Sequence, residues 1–242
     1  MWSSVHHTSL FFTDLVEEAS SGGLALPSFQ RKFVWEPSDI LALLDSMLRE
    51  FPIGSLLFWE NWSCHTKTAR SFAGTAAPKP GVPLVLDGQQ RVQALLIATK
   101  KGSGYAYEVA GDRFVVVDNP RPETGHMPCS SLIDFISFMD ELAPMWDALP
   151  PTPRLPLPIK KRGKLISPPP PEPPPPLTDE QVRVKNFTHR CEAVMSRFRS
   201  VRIGAIVIPA SKDEAFCREA FRRMNLTGKA FTEADVFDCL GS

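Results

Sequence analysis

The segment LVLDGQQRVQALL, from Leu84 to Leu96, places an acid, a glycine, two glutamines and an arginine between two apolar runs. A helix N-terminus exposes main-chain N–H groups and the positive end of the helix dipole, so a strand–turn–helix junction suits an anion. Gly88 permits close approach of the backbone, and the Arg91 guanidinium can donate two parallel hydrogen bonds to a phosphate. The junction therefore predicts a phosphate-binding site.

The side chains beside Arg91 suggest further roles. Gln89 and Gln90 offer donors and acceptors to a ribose, a base or an attacking water, and Asp87 is suited to hold a divalent cation or to orient Arg91. A simpler interpretation stays open, in which Asp87 caps the helix, Arg91 pairs with it and the glutamines are solvated. Under the functional interpretation, loss of Arg91 weakens ligand binding by about 1.5–3 kcal/mol and changes folding stability much less.

Alternating strand and helix patterns surround this junction. Strands are predicted at GSLLFWE, at Pro83–Leu86, at Arg113–Asp118 and at IGAIVIP, which ends at Pro209. Helices are predicted at Leu10–Ala19, from Pro37 to a point before Pro52, after Gly88 as far as Gly102, at Ser130–Trp146, from Thr178, from Ser211 to Met224, and from Thr232. The pattern predicts an α+β fold with a small mixed sheet and surrounding helices.

Composition limits the classes of function. The 242 residues carry 27 Lys and Arg against 27 Asp and Glu, so no global charge attracts nucleic acid or anionic lipid. The chain shows neither a long apolar span nor the pattern of a secretory signal, which predicts a cytoplasmic protein without a membrane role. The five cysteines form no C-x-x-C pair and predict neither a disulfide framework nor a zinc site.

Proline divides the chain. Of its 24 prolines, 13 lie between Pro150 and Pro176, where they exclude a helix or a central strand. We expect an N-terminal part at 1–149, a proline-rich linker or insert at 150–177, and the C-terminal part of the same domain at 178–242. The helix from Thr232 is cut short at Ser242, so we also expect further helices beyond the given sequence.

Three segments, read in order, resemble a known family. They are PSFQRKFVWEPSDILALLDSMLREFPIGSLLFWE, LVLDGQQRVQALL and EAFRRMNLTGKAFTEADV. Together they resemble the N-terminal domain of the GmrSD-type restriction endonucleases. That family is similar to the ParB and sulfiredoxin superfamily, in which a G-x-x-R box at a helix N-terminus binds nucleotide phosphates. The resemblance implies a ParB/sulfiredoxin-like fold that binds a nucleoside triphosphate (NTP) with Mg²⁺ and hydrolyses it.

The resemblance also assigns residues and partners. The catalytic residues would be Asp87, Gln90 and Arg91, and the nucleotide-binding residues would be Gln30, Arg31, Asp87, Gly88, Gln89, Gln90, Arg91, Asn225, Thr227 and Gly228. Asn225, Thr227 and Gly228 are expected in a turn that forms the opposite wall of the nucleotide pocket. Gln30 and Arg31 are alternatively exposed strand residues, and Asn225 and Gly228 are alternatively plain turn formers. The implied partners are modified phage DNA and a nuclease domain or subunit.

No nuclease is expected within this chain. His6, His7, His65, His126 and His189 are dispersed, whereas the restriction enzymes of this family cut with a separate His-Asn-His domain. No P-loop motif is present either. The leading hypothesis is thus an NTP-binding, NTP-hydrolysing regulatory domain of a restriction or phage-defence system. A non-catalytic module that binds DNA or a partner through its phosphate pocket is the alternative, and an assembly subunit that docks through the proline insert is a third.

Overall fold

The computed structural model describes residues 4–60, 69–147, 159–161, 164–166 and 176–226. In chain order the strands of this part are β1 (His6–Phe11), β2 (Leu26–Pro27), β3 (Leu56–Trp59), β4 (Ala69–Arg70), β5 (Leu84–Asp87), β6 (Tyr105–Glu108), β7 (Arg113–Val116), β8 (His126–Pro128), β9 (Ile159–Lys161), β10 (Lys164–Ile166) and β11 (Arg202–Ile208). The helices are α1 (Phe12–Ser20), α2 (Pro37–Leu48), α3 (Gln89–Thr99), α4 (Phe135–Asp147), α5 (Asp179–Ser200) and α6 (Glu214–Leu226). Short 3₁₀ turns span Pro122–Thr124 and Cys129–Leu132. The α+β class is confirmed, while the ParB/sulfiredoxin-like assignment stays a prediction.

The chain divides into two units. Unit 1 comprises Met1–Ile97 and Ser200–Ser242, and unit 2 comprises Ala98–Arg199. Unit 2 is therefore an insertion in the sequence of unit 1. No helix in the described ranges has the length and apolar character needed to cross a membrane.

A four-stranded mixed sheet organises unit 1, in the order β1-β11-β3-β5. β11 is parallel to β3 and antiparallel to β1, and β3 is antiparallel to β5. Leu84, Val85 and Leu86 are all buried, which confirms the strand predicted from their apolar run. Leu84 and Leu86 pack in a core that includes Trp59 of β3 and Cys217 of α6. This packing fixes the point at which β5 ends and α3 begins.

Unit 2 contains the antiparallel sheet β7-β6-β8. Tyr107, Phe114 and Phe198 stack edge to face in its core, with ring centroids 5.6 and 5.7 Å apart. The helix predicted from Thr178 is confirmed. It begins with a capping box, in which Thr178 and Gln181 exchange side-chain to main-chain hydrogen bonds of 3.0 and 3.3 Å.

Several local predictions require correction. Leu10 and Phe11 were expected in a helix but belong to the edge strand β1, and α1 begins only at Phe12. In the helix predicted at Ser130–Trp146, hydrophobic spacing places Ile133 and Ile136 on the packed face, yet they are 42% and 76% exposed. The segment begins as a 3₁₀ turn and α4 starts only at Phe135. This change of register puts Phe138 in the core.

Two further differences concern polar or proline-rich segments. Asp213, rather than Ser211, caps α6, because its Oδ1 accepts a 2.9 Å hydrogen bond from the Phe216 N–H. The proline-rich insert holds the β9–β10 hairpin, which the proline count did not predict. Both hairpin strands lie where the insert contains no proline. The helix predicted from Thr232 lies outside the described residues.

The buried thiol of Cys191 should make the free energy of unfolding fall at alkaline pH. Burial, with the nearby Glu192 charge, raises the pKa of Cys191 to about 12. The thiol ionises first in the unfolded state, so its contribution is complete below about pH 8.5 and is lost as the pH rises towards 12. Cys191→Ala should therefore flatten the alkaline loss of unfolding free energy by about 1.4 kcal/mol per pH unit. Urea denaturation between pH 8 and pH 11 tests this, and identical slopes would contradict it.

Candidate functional site

The turn between β5 and α3 depends on a glycine. Gly88 has φ +86°, a left-handed value that side chains disfavour, and a Cβ there would overlap Cδ2 of Leu56. Its carbonyl accepts a 3.0 Å hydrogen bond from the Val92 N–H, which begins the helical ladder. Gly88 therefore lets the chain reverse against β3 and enter α3 within one residue.

Arg91 lies inward from this turn. Its Nη1 donates to the Ile53 carbonyl at 2.7 Å, and its Nη2 donates to the Ser55 carbonyl at 2.8 Å and to Asp87 Oδ2 at 3.3 Å. The side chain is 16% exposed, and burial lowers its pKa while the Asp87 carboxylate opposes that shift. A Cβ at Gly54, which has φ +78°, would come within 2.9 Å of Nη1. The guanidinium thus packs against residues 53–55, which directly precede β3.

The two motif glutamines hold an extended segment of unit 1. Gln89 Nε2 donates to the Arg31 carbonyl at 2.7 Å. Gln90 Nε2 donates to the Lys32 carbonyl at 3.1 Å, and Gln90 Oε1 accepts from the Val34 N–H at 2.9 Å. Residues 31–36 lie outside any strand, so these bonds replace the partners that a sheet would supply.

Other side chains extend the same arrangement. Gln30 Nε2 donates to the Leu86 carbonyl, and Arg70 Nη2 donates to the Gln30 carbonyl at 2.6 Å. Gln93, one helical turn after Gln89, exchanges two hydrogen bonds with the main chain of Ala73, at 2.8 and 3.2 Å. The FQR segment is therefore joined to β5 through Gln30 and to the start of α3 through Gln89.

The third resemblance segment meets the first through an aromatic contact. The ring centroid of Phe29 lies 6.1 Å from that of Phe221 in the third segment. Phe29 also lies under the guanidinium of Arg218, which directly precedes that segment, with 4.3 Å between the guanidinium carbon and the ring centroid. Both partners are in α6, whose Cys217 is buried in the sheet core. The three segments that are distant in sequence thus adjoin one another in unit 1.

Several polar atoms at this junction accept or donate no hydrogen bond among the described residues. They include the main-chain N–H groups of Gln89, Gln90 and Arg91, which begin α3. Gln89 is 6% exposed, and its Oε1 is buried without a hydrogen bond in the described chain. Asp87 bonds Arg91 through Oδ2 and is 27% exposed. The N–H groups are available to an anion, and the oxygens of Gln89 and Asp87 are available to a cation or a hydrogen-bond donor.

The predicted site residues divide into three groups. Asp87, Gly88, Gln89, Gln90 and Arg91 meet Gln30 and the main chain of Arg31, while the Arg31 side chain is exposed. Asn225 was expected in a turn, but its backbone belongs to α6, which continues to Leu226. Thr227 and Gly228 lie outside the described residues. The Asp87–Arg91 pair of the simpler interpretation is present, but Gln89 and Gln90 bond the main chain instead of being solvated.

Sequence reasoning missed three members of this arrangement. Gly54, Arg70 and Gln93 all contact the junction or the segments that it holds. Gln93 offered a signal, since it is a polar residue one turn beyond Gln89 on a helix that is otherwise apolar there. Gly54 offered another, because FPIGS precedes a buried strand in the first resemblance segment.

The residues fit a magnesium ion only if phosphates share it. Among the described residues, no group of three or more His, Cys, Asp or Glu side chains is placed to hold a metal. Mg²⁺ in nucleotide sites is held by one or two carboxylates together with phosphates and water. Asp87 is compatible with that role, because Oδ1 accepts no hydrogen bond from the described residues.

Comparisons with known proteins agree with the three segments. A family model described as "GmrSD restriction endonuclease, N-terminal domain" matches residues 12–240. The chain is also 35% identical over 99 residues to "Uncharacterized protein MJ0686" from Methanocaldococcus jannaschii. That alignment covers 38% of this chain and 17% of the archaeal protein, so the chain spans less than a fifth of that relative.

The three hydrogen bonds of Arg91 revise the expectation that its loss hardly affects folding. Arg91→Ala leaves the Ile53 and Ser55 carbonyls and Asp87 without that partner, so the free energy of unfolding should fall by about 2–4 kcal/mol. Lys79→Ala is the matched control, because this exposed cation makes one 3.5 Å hydrogen bond and should change stability by less than about 0.5 kcal/mol. Chemical denaturation measures both, and equal small losses would contradict a bracing role for Arg91.

Proposed function

Because the chain belongs to the family of GmrSD restriction endonuclease N-terminal domains, we propose that it is an NTP-binding and NTP-hydrolysing regulatory domain of a DNA-modification-dependent restriction or phage-defence system. The start of α3 is the proposed phosphate site. The observation that carries the proposal is the run of three main-chain N–H groups, at Gln89, Gln90 and Arg91, without an acceptor among the described residues.

The chemistry of these groups suits a polyphosphate. Consecutive N–H groups at a helix start donate to phosphate oxygens, and the helix dipole adds favourable charge. The Arg91 guanidinium contributes positive charge from the first turn of α3, although two carbonyls and Asp87 already fix its position. The exposed side chain of Arg31 lies on the segment that Gln89 holds and can reach solvent-facing phosphates.

Asp87 and Gln89 suit the hydrolytic part of the proposal. When bound with the nucleotide, Mg²⁺ supplies charge neutralisation at the phosphate oxygens, and Asp87 would hold it. Asp87 also fixes Arg91 through Oδ2, so one carboxylate orients the guanidinium beside the phosphates. The buried Oε1 of Gln89 is an acceptor for a ribose hydroxyl or a water. Gln90, whose amide bonds Lys32 and Val34, acts in this account as a positioning residue.

The hydrogen bonds of the glutamines give binding a route to the protein surface. A phosphate that engages the first turn of α3 constrains the residues whose side chains hold 31–34. That segment is exposed at Arg31, Lys32 and Val34, where a nuclease domain or subunit could detect its position. Regulation of a partner nuclease is therefore the proposed output.

Calorimetry with each of the four NTPs and Mg²⁺, combined with a phosphate-release assay, tests this function. Asp87→Asn should lower hydrolysis by about 100-fold, because the substituted amide keeps an acceptor for Arg91 but loses the charge that positions the metal and water. Arg31→Gln should weaken binding by about 10-fold, the scale of one charge-assisted contact. Circular dichroism should show both variants folded.

Arg113→Gln is the control, because this arginine is 64% exposed and pairs with Glu108 in unit 2. It should bind and hydrolyse NTP as the wild type does. A folded wild-type protein that binds none of the four nucleotides would contradict the proposed function. Binding that survives in every variant with unchanged hydrolysis would place the nucleotide elsewhere.

A further inference from the structure

Unit 2 contains a cleft that belongs to none of the three resemblance segments. Its volume is about 550 Å³, and it lies at one end of the sheet β7-β6-β8. One rim is the turn after α3, at residues 100–104, and the other is the turn at residues 119–123. This volume lies within the range typical of ligand sites in proteins.

The cleft is lined by three cations, Lys100, Lys101 and Arg121. All three are exposed, and none forms an ion pair within 4.0 Å with a described residue. The contrast within the same unit is Arg113, which pairs with Glu108 at 2.8 Å. Lys101 interacts electrostatically with Asp134, but no salt bridge joins them. Cations without a salt bridge on a concave surface attract phosphate groups.

The side chain of Asn119 orients one of these cations, Arg121. Asn119 adopts a left-handed φ of +52°, and with its amide oxygen turned towards Arg121 it accepts from Nε and Nη2 at 3.0 and 2.7 Å. Two bonds to one acceptor orient the guanidinium and leave Nη1 for a ligand. On the opposite rim, Gly104 has φ +81° and accepts a 2.9 Å hydrogen bond from the Val117 N–H, and a Cβ there would approach the Val117 carbonyl to 3.1 Å.

The walls of the cleft indicate what accompanies the phosphate. Tyr105, which is 7% exposed, lines it together with Pro120 and Pro128, so apolar surface lies beside the cations. Glu123 and Glu141 also line it and disfavour a dense cluster of negative charge. A chain of singly charged phosphates separated by sugars matches this pattern better than a triphosphate does.

We propose that this cleft binds the sugar–phosphate backbone of DNA, with Lys100, Lys101 and Arg121 as the phosphate contacts. The choice of DNA rests on the proposed function, since a restriction or defence system acts on DNA. Phosphate contacts carry no sequence information, so the cleft positions the duplex without recognising its sequence or modification. The neutral net charge of the chain makes such a local cationic site necessary for backbone binding.

The salt dependence of binding tests the proposal on the full chain. Three phosphate contacts should cost the wild type about 40-fold in affinity for a short fluorescent duplex between about 50 and 200 mM salt. The triple variant Lys100→Gln, Lys101→Gln, Arg121→Gln should bind more weakly at the lower salt concentration, and its salt slope should be smaller by about 2.7. Fluorescence anisotropy measures both quantities.

The control variant replaces cations of unit 2 that lie outside the cleft. Arg183→Gln with Lys185→Gln removes two exposed charges of α5 and should leave the duplex affinity within about twofold. Equal losses in the control and the triple variant would overturn the proposal, as would an unchanged salt slope in the triple variant. Loss of ATP binding by the triple variant with unchanged duplex binding would also overturn it and assign the cleft to a free nucleotide.

The same variants separate this inference from the proposed function. The triple variant should bind NTP as the wild type does, because none of its positions belongs to the junction at Asp87–Arg91. A wild type that binds DNA through the cleft but binds no NTP would contradict the proposed function alone. A wild type that binds NTP but shows no cleft-dependent DNA binding would contradict the cleft alone.

Discussion

The arrangement of unit 1 depends on side chains of α3 that satisfy main-chain groups of segments without a strand partner. Residues 31–34 and 53–55 run beside the sheet but contribute no ladder hydrogen bonds there. The bonds to the Arg31 and Ile53 carbonyls are partly buried, and a main-chain group that is buried without a partner costs about 1–3 kcal/mol. Gln89, Gln90 and Arg91 supply those partners through five hydrogen bonds. The polar residues between two core elements therefore have a structural reason to be there.

This structural role and phosphate binding use different atoms of the same residues. The side chains of Gln89, Gln90 and Arg91 face the protein's own main chain, whereas their N–H groups begin the helix and have no acceptor in the described chain. Gly88 makes this division possible, because its left-handed turn places the helix start directly after β5. A ligand at the N–H groups would thus engage the residues that organise the surrounding loops. The side-chain hydrogen bonds therefore hold the helix start in place, while its main-chain N–H groups stay accessible to a ligand.

Local patterns predicted the elements that are long, apolar or capped. The burial of Leu84–Leu86 confirms the strand predicted there. The helix predicted from Thr178 carries apolar residues at spacings of four, three and four, and all of them are buried: Phe187, Cys191, Val194 and Phe198. The pairing of β11 with β1 and β3 could not be predicted in that way, because it joins strands separated by a whole inserted unit. Edge strand β1 escaped detection since its sequence, HHTSLF, is mostly polar.

The candidate site was predicted in its residue types but not in its contacts. The D-G-Q-Q-R spacing indicates a helix start with a guanidinium one turn in, yet nothing local shows that the glutamine amides reach residues about 58 positions earlier in the chain. The contribution of Gly54 likewise depends on a contact made in three dimensions. Long-range bonds between side chains and irregular main chain lie beyond periodicity and capping rules.

Amide hydrogen exchange, read residue by residue with NMR, tests the phosphate site most directly. Addition of an NTP with Mg²⁺ should slow exchange at the N–H groups of Gln89, Gln90 and Arg91, because each would donate to a phosphate oxygen. Protection should extend to the Val34 N–H that Gln90 holds. Bound nucleotide with unchanged exchange at all four positions would contradict the account.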